Sequence, residues 1–438
     1  MAGIGKFFGF GEREYDYGPN VEVESSSFLE RLGNACVGLC IGIVLFFVSF
    51  GLLGWNEERY IKTWMALDNG RDAYTTAECQ PVDNSLTGKL VHISCDLENM
   101  HTFSLPEFKE NLADFTGIFL EIYAEMYQWE EQKETETKKD KLGGGTQTIT
   151  RYHYRESWSP TIRDSTFFYN KDYKNPPSFP ALPEARQVAP DLRAGSYKLT
   201  YDQTNRFSSR EELTLLEDRD YTASSTRPPP TVTAANTQLY NDMLWTGDPF
   251  NPQIGDVRVK FYGSTATSCS VVAQLTSDGS FEPWPSPYDS DYTVNLFEEG
   301  KVSGGTMFDH AEQENTFLMW MLRLLGFLCM WMGLQMFFGP LAIVPDIIPC
   351  VGPYLGDMVG CLLCAANCLV ATFLSLLTIA IAWVIVRPWV GIPLLCGALV
   401  ALGIFIAVRC IWGRREEEEE EDDGMTKIPM YQMHQHGY

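Results

Sequence analysis

Arg323 is the most demanding residue in this sequence: a guanidinium seven positions inside the apolar run Thr316–Phe338. An ionisable group about 10 Å into a spanning helix marks a functional position by default. The competing reading is a side chain that snorkels to the headgroups beside Trp320, and it is preferred because the span can begin later. Asp346 and Asp357 fall toward the opposite membrane face, so neither is an evident partner. Cys361, Cys364 and Cys368 share one helix face at i, i+3 and i+7. Zinc or copper would suit sulfur ligands, yet no histidine or carboxylate joins them locally, so small-residue packing is the better reading. Cys410, beside the membrane, is open to S-palmitoylation. Gly38-x-x-x-Gly42 and Gly356-x-x-x-Gly360 permit close helix approach and thus self-association, though glycine is also frequent in membrane helices generally. No nucleophile elbow, zinc-protease pair, phosphate loop or dinucleotide fingerprint occurs, and the six histidines are scattered. The chain is therefore expected not to be an enzyme, with no catalytic, cofactor-binding or metal-ligating residues.

The elements that hold these residues are apolar runs: Ala35–Trp55, Thr316–Phe338, Val359–Val386 and Trp389–Ile411. Each reaches the roughly 20 residues that a helix needs to cross a hydrocarbon layer of about 30 Å. The expected fold is a multi-pass α-helical membrane protein of four spans (35–55, 316–338, 359–386 and 389–411), with a large β-rich α+β lumenal domain, 56–315, between spans 1 and 2. A cytosolic tail, 1–34, precedes the first span, which reads as a signal anchor because its upstream segment is too long for a cleaved signal. A Pro-rich interfacial segment, 339–358, separates spans 2 and 3, since Pro340, Pro345, Pro349 and Pro353 exclude an uninterrupted helix.

The net charge of −24 is uneven, because eight acidic residues form the run Glu416–Asp423 in the tail 412–438. Such a block is solvated or docks basic partners, and the acidity argues against nucleic acid. Lys6, Arg13 and Arg31 before the first span and Arg414 and Arg415 after the last outnumber the lone Arg387 on the other side. Both termini are thus expected to be cytosolic or nucleoplasmic and the large domain lumenal or extracellular. That domain carries no Asn-x-Ser/Thr acceptor. Of the twelve cysteines, only Cys79, Cys95 and Cys269 belong to it. At most one pair can close there, Cys79 with Cys95 being a candidate.

Within the domain, Lys89–Ser94 is β-like, and Glu121–Trp129 and Thr148–Trp158 alternate apolar and polar residues. A long mobile tip, Glu130–Gln147, is expected between them, with acids of the first strand facing arginines of the second. Gly255–Tyr262 and Ser268–Leu275 extend the sheet signal, and Asp278-Gly279 marks a hairpin turn into Phe281 and Trp284. Ser27 with Glu30 forms a capping signal for a short helix leading into the first span.

Taken in order, these residues resemble the transmembrane protein 43 family, also called LUMA. The likeness runs through Phe28–Leu32, Ser49-Phe50, Asn56-Glu57, Arg59, Gly88–Ile93, Glu125-Met126-Tyr127-Gln128-Trp129, Asn175-Pro176 and Gly255–Val259. It resumes at Asn315-Thr316, Trp320, Arg323, Met332–Leu334, Ser375-Leu376, Trp383 and Arg387-Pro388. The resemblance implies a scaffold of the endoplasmic reticulum and nuclear inner membrane that self-associates as a homo-oligomer, contacts membrane lipids, and organises nuclear-envelope complexes with emerin- and lamin-type proteins. A channel or transporter built on Arg323, or a lumenal lipid-binding or enzymatic module, is the alternative.

Overall fold

A computed structural model describes residues 18–140, 144–216, 222–287, 289–348 and 351–386, with scattered residues between 388 and 400. Strand β1 (Val21–Ser26) leads directly into helix α1 (Phe28–Ala73). Ser27 caps that helix by accepting the Glu30 amide at 3.3 Å, satisfying one of the amides a helix start leaves free. The helix does not stop where its apolar run does. No proline interrupts Asn56 to Ala73, so α1 continues as one 46-residue rod into the segment expected to open the β-rich domain.

The β-rich unit comprises Met1–Gly38, Lys62–Phe317 and Phe338–Cys361. Its strands include β2 (Leu90–Glu98), β3 (Phe119–Lys139), β4 (Thr146–Ser159), β5 (Gln238–Tyr240), β6 (Met243–Trp245), β7 (Val257–Ser264), β8 (Ser268–Leu275) and β9 (Leu296–Glu299). Among the described residues one sheet runs β1-β4-β3-β7-β6-β5, and a second is built on the antiparallel pair β2-β8 with β9 on the far side of β8. Along β7 the inward residues alternate strictly, Val257, Val259 and Phe261 being buried. They pack with Ile93, Val271, Ala273, Phe119 and Met126 into the main core. That period of two is what a half-buried antiparallel strand requires.

Strand β8 is buried on both faces. Its other face, with Val272, closes against Leu67 near the end of α1 and against Met307 and Phe308. The latter two open helix α2 (Gly304–Ile343). Burying a side chain such as Phe308 contributes about 2–3 kcal/mol, so the helix ends are welded to the sheet. Gly70 permits the approach: a Cβ there would meet the Phe308 ring and Val294 at 3.1 Å.

The helical unit comprises Leu39–Ile61, Leu318–Phe337 and Leu362–Tyr438. Among the described residues three helices, α1, α2 and α3 (Gly352–Val386), are long and apolar enough to cross a membrane. The fourth expected span, 389–411, lies largely outside the described residues, as does the acidic run 416–423. Within this unit α1 and α2 cross tightly where Gly42 meets Gly333; a Cβ on Gly42 would come within 2.6 Å of the Gly333 carbonyl oxygen. Gln335 accepts the Asn367 amide at 2.9 Å, joining α2 to α3.

Other boundaries also differ from the sequence reading: α2 begins at Gly304 and α3 at Gly352, each ahead of its apolar run. Pro340 lies inside α2 and does not end it; the break comes at the 3-10 turn Val344–Ile347. The expected mobile tip 130–147 is mostly ladder: β3 and β4 pair from Met126↔Ser159 to Lys139↔Thr146. With charge and threonine on both faces, that stretch buries no apolar row, and hydrophobic periodicity cannot register it.

Candidate functional site

Glu57 follows the first apolar run by two residues, and the unbroken helix there fixes where it points. Its carboxylate accepts Arg323 Nε at Oε1 and Arg323 Nη2 at Oε2, both at 2.7 Å. Trp383 Nε1 from α3 donates to the same Oε2 at 2.7 Å. One residue earlier, Asn56 donates its amide to the Met319 carbonyl at 3.0 Å. Side-chain exposure is 0% for Glu57 and 15% for Arg323. The guanidinium also lies over the Trp320 ring, 4.8 Å from its centroid.

This is a bidentate fork-to-fork pair, the strongest geometry that a guanidinium and a carboxylate adopt. It joins α1, α2 and α3 at one carboxylate and leaves no net charge among apolar helices. The partner of Arg323 was missed in the sequence because Glu57 was assigned to the start of the lumenal domain. The available signal was positional: Glu57 lies just past the end of the first run and Arg323 in the early turns of the second, toward the same face. Arg323 is folded onto Glu57, whereas the sequence reading favoured a side chain snorkelling outward; only the contact with Trp320 matches that reading.

The glycine motifs divide. Gly42 is occupied by Gly333 and Met336, while among the described residues nothing lies within 4 Å of a Cβ built on Gly38. Gly356 is filled from within its own unit, a Cβ there meeting Asp346 Oδ1 at 2.0 Å, and Gly360 faces Ala342 at 3.9 Å. Cys364 offers its carbonyl to Trp331 Nε1 at 3.4 Å. Among the described residues no three His, Cys, Asp or Glu side chains converge to hold a metal ion.

The residues Glu125–Trp129 sit on β3 and do different work. Glu125 pairs with Arg258 at 2.6 Å, whose guanidinium lies over Trp158 and Trp245. Met126 is fully buried in the core. Tyr127 donates to Glu156 at 3.2 Å; its hydroxyl pKa is raised by burial and by that carboxylate. Gln128, buried, donates to the Thr161 carbonyl and accepts the Arg163 amide. Asn175 stands in for a strand: it accepts the Trp129 amide at 2.7 Å and donates to the Trp129 carbonyl at 2.9 Å. Pro176 follows it, half-buried. Together they stitch the loop 161–176 to β3. Ser375, buried on α3, donates to Met330 Sδ at 3.5 Å. Arg387 lies outside the described residues, and Pro388 follows the end of α3. Cys79 and Cys95 form a disulfide with Cα atoms 5.6 Å apart. Cys269, buried between the sheets, has its thiol pushed up to about 12 by burial.

The family described as Transmembrane protein 43 matches residues 126–388. Transmembrane protein 43 of Mus musculus is 28% identical over 389 residues, covering 87% of this chain and 92% of its own. That of Homo sapiens is 28% identical over 400 residues (89% and 94%), and the Drosophila melanogaster homolog is 28% identical over 363 residues (81% and 90%). No solved structure matches. With its apolar helices, β-rich domain and matched residues in the same order, the chain belongs to the transmembrane protein 43 family.

Proposed function

We propose that this chain is a non-enzymatic membrane organiser, which self-associates through its apolar helices and scaffolds partners in the endoplasmic reticulum and nuclear inner membrane. Emerin- and lamin-type proteins are the partners the resemblance implies. One observation carries the reading: the charge inside the helical unit is closed on itself. Glu57 and Arg323 use each other and Trp383, whereas large apolar side chains are exposed on the helices, including Val44, Phe47, Leu369, Phe373 and Leu376. A conduction path needs polar groups turned toward water along several helices. A packing module needs internal pins and apolar outer faces, and this is the arrangement present.

The α1 surface around Gly38 is the candidate contact. Among the described residues Gly38 meets nothing within 4 Å, and Cys36 and Cys40 beside it are exposed. Small residues let helix backbones approach in lipid, where packing drives association. The Cys79–Cys95 disulfide supports a lumenal core for the β-rich domain, since such bonds persist in oxidising compartments.

Oxidative cross-linking in native membranes tests the proposal. The expected result is a disulfide dimer that disappears in the Cys36→Ser, Cys40→Ser double variant. Only monomer, with this oxidant and with a membrane-permeant amine cross-linker, overturns self-association. Ion flux from reconstituted protein that Arg323→Ala abolishes replaces the scaffold with a channel.

A further inference from the structure

Three cysteines of the β-rich unit lie side by side, although only two of them are bonded. Cys79 and Cys95 form the disulfide, with Cα atoms 5.6 Å apart, and Cys269 is free. Cys269 on β8 stands directly opposite Cys95 on β2 in the antiparallel ladder. Leu97 N donates to the Thr267 carbonyl at 2.9 Å and Leu275 N to the Lys89 carbonyl at 3.1 Å, so alternation makes Cys95 and Cys269 a hydrogen-bonded pair. Cα atoms at such a position are about 5.5 Å apart, inside the range that a disulfide spans. Both side chains belong to the main core, against which Cys79 packs. A buried free cysteine is by itself a small apolar filler. What distinguishes Cys269 is a facing neighbour whose sulfur is already in a disulfide.

Cys79 is held differently from the other two. It is half-buried between exposed Glu78 and Gln80, in the segment that follows α1. Thr75 and Thr76 run parallel to Val91 and His92, Ala77 N donates to the His92 carbonyl at 2.9 Å, and the Cys79 carbonyl accepts Ser196 N at 3.0 Å. These backbone bonds keep the segment against the second sheet without help from its sulfur. Cys95 and Cys269 are fully buried on the two strands at the middle of that sheet. Of the three, Cys79 is the residue whose release disturbs the core least and brings a sulfur toward water.

We infer that Cys79, Cys95 and Cys269 form an internal thiol–disulfide switch. The Cys269 thiolate attacks Cys95 Sγ, a Cys95–Cys269 bond forms as the Cys79–Cys95 bond breaks, and Cys79 leaves as a thiolate that takes up the proton Cys269 gave up. Two sulfurs stay oxidised throughout, so the step needs no external oxidant or reductant. Its product is a modification site: one thiol at Cys79, open to exchange with disulfides around it. Only a thiolate attacks, and burial pushes the Cys269 thiol up to about 12. The native bond is therefore held at Cys79–Cys95, and exchange proceeds at the pace of uncatalysed rearrangement, on the order of minutes to hours. All three cysteines belong to the β-rich unit, and the switch works alike whether or not the chain is a scaffold.

Disulfide mapping of the full-length chain in native membranes tests the switch. The membranes are held without reductant in N-ethylmaleimide, quenched in acid, and the protein is digested for mass spectrometry. The expected result is alkylation of Cys79 that grows with time, matched by peptides joining Cys95 to Cys269. In Cys269→Ala protein that alkylation is expected to be lost, with the Cys79–Cys95 bond intact. In Cys79→Ser protein, Cys95 and Cys269 are expected to bond to each other. Native Cys79 that stays unlabelled overnight, or that is labelled while Cys95 is left free, overturns the switch. So does labelling of Cys79 that is equally fast in Cys269→Ala protein. Cys95 and Cys269 both remaining thiols in Cys79→Ser protein, with the near-ultraviolet dichroism of the native chain retained, overturns it as well.

Discussion

At the scale of single residues the chain resolves its most expensive groups by pairing them. Glu57 is fully buried and answers Arg323 with both oxygens. Removing one member strands the other, which for a buried pair costs roughly 3–5 kcal/mol, whereas replacing both by apolar residues of similar volume is often neutral. Glu57→Ala is therefore expected to lower the thermal midpoint of detergent-solubilised protein well below that of the Glu57→Leu, Arg323→Met double variant. Equal midpoints for the single variant and the wild type would remove the structural role of the pair. His92 shows the same logic in water-side chemistry. Its Nε2 lies 3.0 Å from the Val302 carbonyl and its Nδ1 3.4 Å from Thr76 Oγ1, which suits a neutral ring donating to the first and accepting from the second. Burial lowers its pKa below the usual 6.5, only partly offset by the Val302 carbonyl. The unfolded ring thus takes up a proton before the folded one as pH falls. Stability from this group is complete above about pH 6.5 and declines below it, until the folded ring also titrates. His92→Gln keeps a donor for Val302, and is expected to flatten the loss of stability on acidification measured by urea unfolding.

At the scale of elements, the sequence was legible wherever one face is apolar and silent where neither is. Val257, Val259 and Phe261 alternate with polar residues, and β7 lies where that period places it. The turn at Asp278-Gly279 is equally plain: Gly279 adopts φ +76, and Thr276 and Ser280 hold the Asp278 carboxyl down at about 2. The outer half of the β3-β4 hairpin gave no such sign. Its ladder rests on cross-strand pairs such as Thr135 with Thr150 and Thr137 with Thr148, and on ion pairs such as Glu130 with Arg155. Beta-branched and charged pairs hold strands together without any buried row. The acid-to-arginine pairing expected from the sequence is present; the order it brings to the supposed tip is not deducible from periodicity. Helix ends were missed for a related reason. An apolar run reports where lipid-like surroundings begin, and α1 and α2 extend beyond theirs because Leu67, Met307 and Phe308 bury themselves against β8 in protein. Glu57 falls on the seam between the two environments, which is why its partnership with Arg323 escaped a reading that divided the chain there.

At the scale of the whole molecule the two units draw stability from different sources, and this separates their responses to one perturbation. The β-rich unit depends on long-range pairing of strands around one core, and the Cys79–Cys95 bond, with a sequence separation of 16, ties the segment after α1 to β2 at the centre of its second sheet. A disulfide closing a loop of that order stabilises by about 3 kcal/mol, largely by restricting the unfolded chain. The apolar helices satisfy their backbone groups internally and are held by lipid or detergent whatever the state of the sheets. Reduction of native protein is therefore expected to shift the near-ultraviolet melting transition of tyrosine, which is concentrated in the β-rich unit, downward by on the order of 5–10 °C. The helical ellipticity near 222 nm should keep its high-temperature plateau. Cys79→Ala, Cys95→Ala protein should reproduce the shift without reductant and show no further response to it. A common, unshifted melting of both signals would mean that the bond restrains nothing the fold does not already fix. Collapse of both together on reduction would mean that the sheets, and not the bilayer, keep the long helices intact.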